Sequence, residues 1–142
     1  MIRRIGYGCV VESMALKVAY VRVVAFGYLV VLAFLSLNPW LRPAAEGNSD
    51  KIEHAIAYAG LTVLMFMCVG GARAWQARRP WLHVIAVMTI SMAIGAALEV
   101  AQSLFTHNRV GSVSDAVANG VGVTLGATLF ALAGWAYAKW RA

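Results

Sequence analysis

The polar residues able to do chemistry in this chain recur at helical spacings. Asp50, His54 and Tyr58 fall at i, i+4 and i+8, and Glu99 and Gln102 at i and i+3. Asp115, Asn119, Gly122 and Gly126 fall at i, i+4, i+7 and i+11. Such spacings line one face of a helix. Lys51, Arg109 and Ser112 flank these runs. A carboxylate beside a histidine is equipment for proton transfer or for activating water. The same groups, with Lys51 and Arg109, could instead hold a polar head group.

His54 with Asp50, Glu99 or Asp115 is also a donor set that a divalent metal accepts. The chain has no H-E-x-x-H and no Cys/His ligand repeat, so neither a metal nor a cofactor is expected. It has no glycine-rich phosphate loop, serine elbow or nucleotide motif either. Structural readings compete at each position. Asp50 and Asp115 could serve only as helix caps, Lys51 and Arg109 as interfacial charges, and Glu99, Gln102 and Asn119 as bonds between helices. His83 and His107 read as interface or loop residues. Cys9 and Cys68 lack metal spacing and read as small packing residues.

The elements that must position these groups are set by composition. Of 142 residues, 61% are hydrophobic and only 13% charged, and mean hydropathy is +0.72. Soluble domains carry about 25% charge. Too little polar sequence remains to coat a globule in water, so lipid must be part of the solvent. Four apolar stretches approach the roughly 20 residues that cross a bilayer. The expectation is an all-α, polytopic four-helix bundle in a single domain. Residues 1–17 read as a leader or interfacial segment with no small-residue cleavage site, and Met14 is a second candidate start. Residues 18–142 read as the transmembrane domain.

Helix 1 is expected from about Val18 to Leu37, ended by Asn38-Pro39. Helix 2 is expected from Ser49 or Asp50, either a plausible N-cap, to about Val69. Helix 3 runs from Pro80 or Trp81 to Phe105. Helix 4 begins near Ser114, as N-cap, and runs to about Tyr137. Gly122-x-x-x-Gly126 is a small-residue contact pattern that suits packing within the bundle, or a homodimer.

Net charge is +6, but the basic residues are dispersed over short loops, so no nucleic-acid partner is expected. Eight of them (Arg3, Arg4, Lys17, Arg73, Arg78, Arg79, Lys139 and Arg141) belong to the leader, the helix 2–3 loop and the C-terminus. Three (Arg42, Lys51 and Arg109) belong to the other side. The positive-inside rule then places both termini in the cytoplasm. With a rise of about 1.5 Å per residue, Asp50, His54, Glu99, Asp115 and Asn119 share one layer near the outer surface. Ionisable residues inside a membrane cost free energy and normally face the interior and pair. A nearly balanced buried network is therefore expected, with Lys51 and Arg109 opposing Asp50, Glu99 and Asp115.

The ordered set Asp50-Lys51-x-x-His54-x-x-x-Tyr58, Glu99-x-x-Gln102, and Arg109-x-x-Ser112-x-x-Asp115-x-x-x-Asn119-x-x-Gly122 resembles the VanZ-like family of small membrane proteins. The resemblance covers about Asn48 to Gly126. It implies a multi-pass protein of the bacterial inner (cytoplasmic) membrane and cell envelope, in a family whose namesake is linked to teicoplanin resistance. The motif positions it carries over are Asp50, Lys51, His54, Glu99, Gln102, Arg109, Asp115 and Asn119.

Together these readings lead to an outward-facing cluster that binds a lipid or glycolipid head group, such as a lipid-linked cell-wall precursor, or alters its display. The rivals are a membrane enzyme acting on a head group and a structural protein that docks on a membrane partner.

Overall fold

A computed structural model describes the backbone of residues 3–38, 48–69, 78–106 and 112–141, with side chains within 16–38, 49–69, 78–106 and 112–140. Expectations for Cys9, His107 and Arg109 fall outside the described side chains. Four helices make up the described chain: α1 Arg3–Leu37, α2 Asn48–Cys68, α3 Pro80–Phe105 and α4 Val113–Arg141. Each contains a span long and apolar enough to cross a membrane, the one in α1 being Leu16–Leu37. Only 11–28% of each span's most apolar window is buried within the bundle. Exposed side chains include Phe26, Phe34, Ile56, Ile85, Leu104 and Leu129. So much outward apolar surface is untenable in water and is what lipid requires. The protein is an all-helical, multi-pass membrane protein.

Helix boundaries differ from expectation at several ends. α1 starts at Arg3, well before Val18, so most of the expected leader continues the helix N-terminal to its apolar span. α2 starts at Asn48, which puts Ser49 and Asp50 inside its first turn rather than at the cap. α4 starts at Val113, so Ser114 is already helical. The capping role belongs to Ser112, whose Oγ accepts the Asp115 backbone N–H at 3.1 Å. Capping from the residue just before the first helical position, onto the third amide, is the usual N-cap geometry. α4 also runs past Tyr137 to Arg141. There the Lys139 ammonium lies 5.4 Å from the Trp135 ring centroid, a cation–π contact at a helix end.

Contacts fix the arrangement. α2 touches all three other helices, and its most extensive contact is with α4. Ala55 faces Gly122 and Ala59 faces Gly126, so α2 and α4 run parallel. His54 faces Glu99 and Tyr58 faces Gly95, so α3 runs antiparallel to both. Tyr28 Oη donates to the Ala57 carbonyl at 2.8 Å, and Cys68 Sγ lies 3.9 Å from the Val21 carbonyl, so α1 is antiparallel to α2. The N-terminal ends of α2 and α4 therefore meet the C-terminal end of α3 at one end of the bundle.

Glycine sets the α2–α4 distance. A Cβ on Gly122 would collide with the Ala55 carbonyl, and one on Gly126 with the Ala59 carbonyl and Thr62 Cβ. Small residues let membrane helices approach to this distance. Towards the other end, Phe66 of α2 stacks on Phe130 of α4, with ring centroids 4.8 Å apart. The centre is filled by Tyr58, Leu61, Val123 and Leu32.

Candidate functional site

The site is built on His54, one turn into α2. Its Nδ1–H donates to Asn119 Oδ1 on α4 at 3.0 Å. Glu99 Oε1 on α3 lies 3.8 Å from the same nitrogen. On the other edge of the ring, Nε2 lies 4.0 Å from Asp50 Oδ1, one turn back along α2. One histidine thus links groups from three helices. The i, i+4 spacing places Asp50 over His54, and the parallel α2–α4 register brings Asn119 level with it. Antiparallel α3 brings Glu99 from the opposite direction.

Asp115 completes the group. One ligand atom each from Asp50, His54 and Asp115 lie within 4.8 Å of one another. Glu99 also lies near Asp115, the Ser112 backbone and the Asn119 side chain. Asp50 and Asp115 both sit in first turns, at the positive end of a helix dipole. The His54 and Glu99 side chains are 10% and 12% exposed, and Asn119 is 1% exposed. These polar groups face inward, as the cost of exposing charge to hydrocarbon demands.

Two atoms in this cluster are buried without a hydrogen-bond partner: the acceptor Glu99 Oε2 and the donor Asn119 Nδ2. A buried polar atom left unpaired costs roughly 1–3 kcal/mol. One acceptor and one donor of this cluster thus keep hydrogen-bonding capacity to spare. A cavity of about 60 Å³ lies between α1 and α2, lined by Leu32, Leu35, Ser36, Glu53, His54, Ala57 and Tyr58. It is polar at Ser36, Glu53 and His54 and apolar along Leu32 and Leu35.

Other motif residues do different work. Gln102 is 3% exposed and donates through Nε2 to the Ser36 carbonyl of α1 at 3.0 Å. Its own carbonyl accepts both the N–H and the Oγ1–H of Thr106, at 2.9 and 2.7 Å. It ties α3 to α1. Tyr58 is 2% exposed and packs against Gly95, with its carbonyl accepting Thr62 Oγ1–H at 2.7 Å. Lys51 is exposed. Arg109 lies outside the described residues, so of the expected network the negative side and His54 are what the structure brings together.

Gly95 was not singled out by spacing. A Cβ there would come within 3.1 Å of both Asn119 Nδ2 and the Tyr58 ring, so its missing side chain makes room for the site. Its signal was available: it lies at i−4 from Glu99, on the same face. Ser36 left no signal, because it contributes a backbone carbonyl.

Set against known proteins, the chain matches no family model, no curated protein and no solved structure. The chemistry must therefore be argued from the geometry.

Proposed function

We propose that this chain is a VanZ-like protein of the bacterial cytoplasmic membrane whose polar cluster, facing outward, binds the head group of a lipid or glycolipid. The observation that carries this reading is that Glu99 Oε2 and Asn119 Nδ2 are both buried without a well-formed hydrogen bond. A sugar hydroxyl can donate to the carboxylate, and a sugar oxygen or acetamido carbonyl can accept from the amide. Asp50, Glu99 and Asp115 converge on one imidazole, and such a set of acceptors suits a hydroxyl-rich head group. The apolar wall of the α1–α2 cavity at Leu32 and Leu35 gives an acyl or prenyl chain a path away from the polar end. Orientation rests on the excess of Lys and Arg at the opposite side. A lipid-linked cell-wall precursor, displayed in the outer leaflet, has this chemistry, and binding it accords with the teicoplanin link of the family that the motif resembles.

In cells expressing the protein, Glu99→Gln and Arg109→Ala, made singly, should each abolish an altered teicoplanin susceptibility while the membrane level stays constant. A full phenotype in both variants would remove this site from the function. Turnover of a radiolabelled polyprenyl-phosphate-linked sugar by purified protein, dependent on His54, would make the same cluster an enzyme site.

A further inference from the structure

The Nε2 side of His54 carries an inference separate from head-group binding. We infer that Asp50, His54 and Asp115 form a binding site for one divalent transition-metal ion, of the zinc or manganese class. The ligands come from α2 and α4, across more than sixty residues of chain, which is why no metal-type spacing marks them in the sequence.

The donor set comes first. One ring nitrogen and two carboxylate oxygens lie within 4.8 Å of one another. A zinc ion sits about 2.0–2.2 Å from such donors, so their mutual distances must shrink to about 3.4 Å.

The second observation is how the histidine is held. Nδ1–H is committed to Asn119 Oδ1 at 3.0 Å, with Glu99 Oε1 3.8 Å away. With Nδ1 engaged by Asn119, the ring nitrogen left for a ligand is Nε2, which faces Asp50. Metal-ligating histidines are held in this way: the far nitrogen donates to a carboxylate or carbonyl, which orients the ring and raises its basicity. Asn119 is 1% exposed, and its Nδ2 is buried and unpaired.

The third is charge. Two first-turn carboxylates, Asp50 and Asp115, share the site with the Nε2 edge of the imidazole, and the Glu99 carboxyl lies behind the ring. A divalent ion is drawn to such a concentration of carboxyl groups. The nitrogen ligand favours zinc over magnesium and calcium, which take oxygen donors, and the two carboxylates also admit manganese. A site with three protein ligands leaves a position for water or another donor.

The test uses the full chain in detergent, stripped with EDTA and dialysed against micromolar zinc or manganese, with no lipid-linked sugar present. Elemental analysis should find one ion per chain, and the melting temperature should rise with zinc or manganese and much less with magnesium or calcium. Asp115→Asn and His54→Gln should each weaken binding by at least about tenfold, and Glu99→Gln by about 10–100-fold as a positioning residue. His83→Ala, near the far end of α3, should bind as the parent does. The absence of a stoichiometric ion in the unmodified chain overturns the inference without reference to any variant. So does undiminished binding by both Asp115→Asn and His54→Gln. Because no sugar is present, neither result bears on head-group recognition.

Discussion

His54 on α2 and Asn119 on α4 are joined side chain to side chain by a 3.0 Å hydrogen bond from Nδ1 to Oδ1. It lies at the end of the bundle where Glu99, Asp50 and Asp115 gather. The bond both closes the α2–α4 pair and sets which edge of the imidazole is left for chemistry. Asn119→Leu should therefore change two observables together. Thermal unfolding in detergent should show a loss of about 1 kcal/mol, within the range of roughly 0.6–1.7 kcal/mol for hydrogen bonds between membrane helices. Nitrogen NMR of labelled histidine should show the His54 proton no longer confined to Nδ1. An unchanged His54 signal would mean that Asn119 does not set the tautomer.

Close approach of α2 and α4 makes a second, sharper prediction. Gly122→Ala drives a methyl group into the Ala55 carbonyl, and Gly126→Ala drives one into the Ala59 carbonyl. Backbone cannot swing aside as a side chain can, so each should cost about 1–3 kcal/mol. Gly27→Ala, with nothing within 4 Å of the new Cβ, should stay within about 0.5 kcal/mol of the parent. Equal melting temperatures for all three would contradict the parallel α2–α4 packing.

Tyr28 and Gly60 should be energetically coupled. The Tyr28 hydroxyl donates to the Ala57 carbonyl at 2.8 Å and lies 2.8 Å from where a Gly60 Cβ would stand. Gly60→Ala should therefore be costly in the parent and milder in a Tyr28→Phe background, which lacks the hydroxyl. A double-mutant cycle should return a coupling of about 0.5–3 kcal/mol, and a coupling of zero would separate the two residues.

Gln102 and Glu99 share a helix and a motif but should behave oppositely. Gln102→Ala removes the bond to the Ser36 carbonyl and should cost about 0.6–1.7 kcal/mol of stability while leaving ligand binding intact. Glu99→Gln keeps the shape and removes the charge, so it should fold as the parent and lose binding. If Gln102→Ala loses binding at unchanged stability, Gln102 belongs to the site and not to the α1–α3 contact.

Much of this was legible from spacing. Hydrophobic run lengths mark four spans, and the i, i+4 pairs Asp50/His54 and Asp115/Asn119 mark inward faces, because a polar residue in a span must turn from lipid. Helix ends were less legible. Ser114 and Ser112 are both competent caps, and only the backbone bond to Asp115 separates them. The N-terminal extension of α1 carries Arg3, Arg4, Glu12 and Lys17, which breaks an apolar pattern but not a helix. The division of labour within Glu99-x-x-Gln102 was not legible at all. Residues three apart share a face only broadly, and whether each meets α2 or α1 depends on how helices far apart in sequence are placed.

The central claim is that the cluster around His54 recognises a sugar-bearing lipid head group. The most direct measurement is native mass spectrometry of the protein in nanodiscs with a lipid-linked disaccharide, in metal-free buffer. The account predicts one bound glycolipid per chain, retained by Gln102→Ala and lost in Glu99→Gln and Asn119→Leu at unchanged folding. Absence of binding in the unmodified protein, or undiminished binding in both cluster variants, would contradict it.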